Sequence, residues 1–317
     1  MQYTLRPARD TLTGRFCRED RPALVMQAGD VVDIETLEAD WRTEKHAQPS
    51  SESGAFFKRE LPKDQGQCLI GPIFIEGARP GQTLAVHVKK LVPGDWGWSR
   101  VGYGNPDHLR RINAPEGEYF LLWDVDVAAG KAVSHRGHQV SLNPFMGVMG
   151  VAPDVPGGVT TYNPGPHGGN LDCKDIAEGT TLYLPIFVEG AYFAIGDGHA
   201  AQGDGESGGT AIECPYRQVT LSFDVLDEAI PGPVLDTGTH LYAFGFSADL
   251  TDAVYEALGN MADLLTRRNG LADRREALAM LSLLGDLRIT QIANEVRGAH
   301  IAVSKERLTE IGGGWHG

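Results

Sequence analysis

Residues 181–199 read TLYLPIFVEGAYFAIGDGH, and the rest of the fold can be read outward from this stretch. Thr181 to Val188 and Ala191 to Ile195 read as two strands separated by Glu189-Gly190. That spacing predicts a two-residue hairpin turn, because glycine admits the left-handed backbone such turns require. The second strand runs straight into Gly196-Asp197-Gly198-His199, so side chains there would stand at the end of a rigid hairpin. On either side the two-residue period of strands recurs. Thr83 to Leu91 (TLAVHVKKL) follows the turn Arg79-Pro80-Gly81-Gln82, and Gln218 to Leu226 (QVTLSFDVL) would put Val219, Leu221, Phe223 and Val225 on one face.

The pattern changes after Phe246. Val254, Ala257, Leu258, Met261, Leu264 and Leu265 recur at helical spacing in Thr251 to Arg268, with Thr251 or Asp249 as N-cap. A second helix over Arg274 to Leu284 carries Ala277, Leu278, Leu281 and Leu284 on one stripe and ends at Gly285. Leu287 to Ile292 and His300 to Val303 read as short strands. The expected organisation is a β-rich body over residues 1–245 and a C-terminal α/β portion over 246–317 packed on it.

With 28 basic against 42 acidic residues the 317-residue chain carries a formal charge of −14, which repels nucleic acid phosphates and anionic membranes. A small neutral or cationic partner suits it, and neither nucleic acid nor membrane is expected. The first 16 residues lack the apolar core of a signal peptide, and no stretch approaches the length of a membrane span, so a cytoplasmic location is expected. Cys17, Cys68, Cys173 and Cys214 are scattered without a CxxC pair, which suggests buried thiols rather than disulfides or a zinc knuckle. No phosphate-binding loop followed by Lys-Ser or Lys-Thr occurs. His135-Arg136-Gly137-His138 reads as a charged surface turn.

Chemistry concentrates between His167 and Cys214, where Asp172, Asp197, His199, Asp204 and Glu206 lie among glycines. Histidine and carboxylates are ordinary ligands of zinc, and carboxylates alone suit calcium or magnesium, so Asp197-x-His199 beside Asp172 can bind a divalent ion. The same acids also suit a solvated glycine loop bonding its own backbone. His199 has no apolar stripe around it and reads as a ligand or proton carrier. Asp204-x-Glu206 offers paired carboxylates for general acid and base work, pointing to one side if the segment is extended. Asn170 and Gln202 can orient an amide through their C=O and NH2 groups. Cys173 stands between Asp172 and Lys174, but neighbours on an extended chain point to opposite faces, so the triplet is no nucleophilic triad by itself.

The segment HGGNLDCKDIAEGTTLYLPIFVEGAYFAIGDGHAAQGDGESGGTAIE (His167 to Glu213) resembles the central signature of the acetamidase/formamidase family. LIGPIFIEGARPGQTLAV (Leu69 to Val86), SLNPFMGVMGVAP (Ser141 to Pro153) and GDLRITQIAN (Gly285 to Asn294) follow the family in order, and PALVMQAGDVVDIETL (Pro22 to Leu37) resembles its N-terminal strand region. The resemblance implies a β-sandwich with a small β-barrel and a C-terminal α/β portion, in a homo-oligomer. It implies a metal-dependent hydrolase taking a short carboxylic amide to the acid and ammonia, with zinc as the ion and calcium as the alternative. Carried over residue by residue, it puts the metal on Asp172, Asp197, His199 and Glu213. Asp204 and Glu206 become the catalytic acid and base, and His167, Asn170 and Gln202 face substrate. Family members often carry histidine where this chain has Thr13 and Gln67. Hydrolysis of another carbonyl substrate (a carbamate, a urea-like compound or an ester) is the alternative within enzymes, and a non-catalytic metal- or ligand-binding oligomer the alternative outside them.

Overall fold

The computed structural model describes residues 1–51, 53–102 and 106–311, apart from the side chains of 106–108. Alternation on neighbouring strands builds its central layer. In Thr83–Pro93, Leu84, Val86 and Val88 turn into the main core while Ala85 turns to the opposite face. The adjacent Thr181–Pro185 repeats this, with Leu182 and Leu184 on one side and Tyr183 on the other. These two strands lie in the middle of a nine-stranded sheet. Its order is Gln2–Leu5, Val31–Thr36, Tyr216–Leu226, Thr83–Pro93, Thr181–Pro185, Val234–Asp236, His240–Ser247, Arg297–Ser304 and Gly285–Gln291. Val219, Leu221 and Phe223 are fully buried on its inner face, as their spacing predicts.

A second layer closes over that face. Its path runs Gly168–Asn170, Phe145–Gly150, Phe193–His199, Leu69–Glu76 and Leu12–Thr13, with Leu24–Gln27 parallel beside Leu69–Glu76. The edge-to-face rings of Phe193 and Phe223, 5.1 Å apart, join the layers. The chain is therefore mainly β, as expected, but among the described residues no sheet closes into the small barrel that the resemblance implies; each path ends in two edges.

The expected hairpin over 181–195 does not form. Thr181–Pro185 pairs with Thr83–Pro93 and Val234–Asp236, while Phe193–His199 pairs with Phe145–Gly150 and Leu69–Glu76 in the other layer. Gly190, Ala191 and Tyr192 all have left-handed φ (78°, 58° and 53°), which swings the chain from one layer to the other instead of folding it back. Gly190 also lies on the Phe74 ring, where a Cβ would come within 2.1 Å of it.

The C-terminal helices follow the sequence reading closely. Asp249 caps Leu250–Arg268 by accepting from the Thr251 and Asp252 N–H groups, and Asp273 caps Arg274–Leu284. Ala253, Ala257, Met261, Leu264 and Leu265 are buried against the outer face of the nine-stranded sheet. Gly245 makes that approach possible, since a Cβ there would lie 2.2 Å from the Ala253 carbonyl. Gly285–Gln291 and Arg297–Ser304 then extend the sheet through His240–Ser247. No helix among the described residues is long and apolar enough to cross a membrane.

Candidate active site

The site forms on Phe193–His199, where the sequence alternates glycine with a functional residue. Gly196 and Gly198 leave room on one side. A Cβ at Gly196 would sit 2.2 Å from the Cys68 carbonyl, and one at Gly198 2.2 Å from the Tyr216 ring. Tyr216 uses that approach to share its one hydroxyl proton between the carbonyls of His199 (2.7 Å) and Phe145 (3.0 Å), pinning the end of the strand. Asp197 and His199 face the other way, over the partner strand at Gly147. A Cβ at Gly147 would meet His199 Cε1 at 2.7 Å, Asp172 Oδ1 at 2.8 Å and Asp197 Oδ2 at 2.9 Å. Glycine is thus required twice, once to let the scaffold close and once to keep the site open.

Three further segments complete the cluster. Glu213 joins by bridging both His199 and Trp98, with main-chain bonds to Trp98 of 3.0 and 2.8 Å. Asp172, Asp197 and Glu206 adopt left-handed φ (49°, 57° and 42°), a conformation that costs an L-residue energy and recurs at functional sites. One donor atom each from Asp172, Asp197 and His199 lies within 4.8 Å of the others, and the same holds for His199, Glu206 and Glu213. All five are buried.

The partners these residues lack matter as much as those they have. Asp172 Oδ1, Asp197 Oδ1, His199 Nε2 and Glu213 Oε2 are buried without a hydrogen-bond partner, although His199 Nε2 is 3.2 Å from Glu213 and 3.5 Å from Asp197. Gln202 explains which nitrogen is exposed. Its Nε2 donates to the Asp172 carbonyl (2.8 Å), so its Oε1 must accept from His199 Nδ1 (2.9 Å), which turns Nε2 toward the acids. Asn143 fixes Gln202 in turn through reciprocal bonds to its main chain (3.1 and 3.2 Å).

Crowded carboxylates in a dry site shift one another. Burial, together with Asp197 and Glu213, pushes Asp172 up to about 8, and burial with Asp197 pushes Glu213 to about 8. Burial opposes charge on His199, but Glu213 and Asp197 outweigh it and hold its pKa well above the ordinary value. Burial would likewise raise Asp197, yet His199 holds it below the usual range. Buried oxygen and nitrogen donors converging on one histidine fit a divalent ion, so this cluster can hold one through Asp172, Asp197 and His199 or through His199, Glu206 and Glu213.

The remaining expected residues fall in different places. Glu206 is buried in the cluster, but Asp204 is turned away, exposed and ion-paired with Lys174 at 3.0 Å. The segment is a turn rather than a strand, so the two acids do not share a side. Asn170 lines the cleft, whereas Gln202 spends both ends on His199 and Asp172. His167 packs edge-on against Phe16 at 5.2 Å and is not among the cleft-lining residues; burial lowers its pKa to about 4. Cys173 is a buried thiol whose pKa burial drives far up, which leaves it inert as a nucleophile. Thr13 is buried with its hydroxyl on the Arg15 carbonyl, while Gln67 enters the site, donating from Nε2 to Asp197 Oδ2 at 2.9 Å.

The cleft over the cluster has a volume of about 680 Å³ and is walled by Trp98, Arg100, Tyr162, Asn294 and Arg297. Residue types alone did not single out these walls, Gln67 or Gly147. Asn294 at least ends a segment, Gly285 to Asn294, that carries the family resemblance.

Residues 155–294 match the model of the acetamidase/formamidase family. Over 98% of both chains the protein is 30% identical, with a TM-score of 0.84, to a recombinant protein of Thermoanaerobacter tengcongensis described as a predicted acetamidase/formamidase. It is 31% identical to an acetamidase of Bacillus halodurans, covering 98% of this chain and 100% of that one, again with a TM-score of 0.84. A match of 47% identity over 198 residues to an acetamidase of Mycolicibacterium smegmatis covers 44% of this chain and 48% of that protein. A mainly β enzyme with a buried acid and histidine cluster at the floor of a small-molecule cleft is the class that fold and site define. The chain belongs to the acetamidase/formamidase family and is an amide hydrolase.

Proposed function

We propose that the protein hydrolyses a short primary carboxylic amide to the acid and ammonia with the help of a divalent ion, zinc, at Asp172, Asp197, His199 and Glu213. The observation that carries this reading is the convergence of four buried donor atoms that make no hydrogen bond, with Asp197 and Glu213 lining the cleft. An ion held there supplies Lewis acidity, polarising a carbonyl oxygen and easing the deprotonation of water. Gln202 holds His199 in the tautomer that leaves Nε2 free. Gly147 keeps the floor clear, and Trp98 lines the cleft beside it.

Glu206 moves the proton. Burial first, and then the Asp172 charge, raise its pKa well above the ordinary value, so it takes a proton readily from the attacking water and returns it to the departing nitrogen. In the balanced step the water oxygen bonds to the carbonyl carbon, the C–N bond breaks, and nitrogen leaves with its two hydrogens and the transferred proton as ammonia. Asp204, paired with Lys174, anchors the loop that carries Glu206. On the family resemblance the enzyme acts as a homo-oligomer. Ammonia release measured from formamide through longer and aromatic amides tests the reading. Turnover confined to the short members is expected, and silence across the series, with carbamates or esters consumed instead, would replace it.

A further inference from the structure

Two carboxamide oxygens at the cleft stand without partners. Asn170 is only 3% exposed, and its Nδ2 donates to the Tyr162 carbonyl at 3.3 Å. A carbonyl only accepts, so that bond decides which end of the side chain is nitrogen and leaves Oδ1 as the buried, unpartnered end. Gln67 is decided the same way: Nε2 donates to Asp197 Oδ2 at 2.9 Å, and Oε1 is left buried and unpartnered. Both residues line the cleft together with Asp197, Glu206 and Glu213. An acceptor buried without a donor is costly, and a ligand that brings N–H groups to it recovers that cost.

The chemistry of the candidates separates them sharply. A primary amide presents two N–H donors on one nitrogen. An ester or an N,N-dialkyl amide presents none, and a carboxylate presents none and meets Asp197, Glu206 and Glu213 beside these acceptors. We propose that Asn170 Oδ1 and Gln67 Oε1 receive the two N–H groups of the scissile carboxamide and thereby select primary amides over esters and dialkyl amides. This rests on the amide-hydrolase reading above and adds to it the residues that choose the leaving group. A site built on such acceptors rejects an analogue lacking the donors because its own buried groups are then left unpaired.

The test compares kcat/KM for acetamide, N,N-dimethylacetamide and phenyl acetate in the wild type, Gln67→Met and Asn170→Leu, with divalent ion content measured in each. Each substitution keeps the side chain's length and removes the acceptor, together with the donor to Asp197 or to the Tyr162 carbonyl, and the ion content and the ester rate report on that second loss. The expected result is a preference of the wild type for acetamide and a fall of about tenfold in the acetamide-to-ester ratio in each variant, with ion content retained. Parallel loss on acetamide and ester, or loss of the ion, would overturn the inference by making these side chains supports of the cluster. Gln67 is only half-buried, so Gln67→Met still decides the matter where Asn170→Leu fails to fold. Silence of the wild type on acetamide would remove the amide-hydrolase reading and this inference together, whereas wild-type turnover with parallel losses removes the inference alone.

Discussion

A single buried acid, Glu38, and a group of buried acids around Asp172 both adjoin Trp98, and they differ in what they lack. Glu38, fully buried, accepts from Trp98 Nε1 at 2.7 Å and from the Arg42 N–H at 2.6 Å, so both of its oxygens are used. Burial and the nearby Asp40 push it to about 7, yet it is complete within the chain. Asp172 keeps an oxygen with no partner, and the remaining oxygens of Asp197 and Glu213 meet only His199 Nε2, at 3.5 and 3.2 Å. Trp98 touches both groups: its ring nitrogen serves Glu38 and its main chain carries Glu213. Burial of an acid alone therefore does not mark a site here; the convergence of several buried acids on one histidine does. The Glu38 group holds the cleft wall in place, and the Asp172 group is left for a ligand to complete.

The sharpest way to break this contrast is to delete one member of each group. His199→Ala is expected to drop ammonia release below detection and to abolish ion retention while the circular dichroism spectrum stays that of the wild type. Glu38→Ala is expected to do the reverse. It strands the Trp98 and Arg42 donors, lowering stability to urea by about 2–5 kcal/mol while ion binding persists. Equal loss of stability in both variants would erase the distinction.

The contrast also extends to pH. In ion-free protein, burial pushes Asp172 and Glu213 up to about 8 from ordinary values of 3.8 and 4.5. The folded state binds more protons than the unfolded between those limits. Their contribution to stability is present below about pH 4 and is lost as pH rises through 8. The ion-free melting temperature should therefore fall from pH 5 to pH 8, and the stabilisation by added zinc should grow over the same interval, because the ion takes the deprotonated ligands. A zinc effect that is flat in pH would count against these acids as ligands.

The smallest effect belongs to His46, which lies under the same wall among Trp96, Trp98 and Phe120 with both ring nitrogens unpartnered. Burial, then Arg42 and Arg100, lower it from 6.5 to about 4. A depressed pKa means that this contribution is present above 6.5 and lost as pH falls through 4. His46→Phe should change stability at pH 7.5 by no more than about 1 kcal/mol and make acid unfolding over that window shallower.

The parts of the fold legible in the sequence were those that local chemistry decides. Asp249 marks the first long helix because a cap needs only its own first turn, Gly285 ends the second, and Val219, Leu221 and Phe223 mark their strand because alternation is local. Asp197 and His199 were legible for the same reason, one residue apart on a single strand. The hairpin was misread because a glycine after an acid suits a tight turn, whereas Ala191 and Tyr192 reveal their left-handed backbone only in the fold. Gln67, Gly147 and Asn294 reach the site from separate strands and loops, and nothing in their neighbours shows the approach. Asp204 shows the opposite failure, a carboxylate in a promising pattern that a nearby Lys174 takes to the surface.

The central claim is that the unpartnered donors of Asp172, Asp197, His199 and Glu213 hold an ion the enzyme needs. The direct measurement is ammonia release from acetamide by protein stripped with a chelator, then reloaded with zinc or calcium, with bound ion counted at each stage. The account predicts turnover that disappears on stripping and returns with one ion as the count is restored. Full turnover by verified ion-free protein would contradict it.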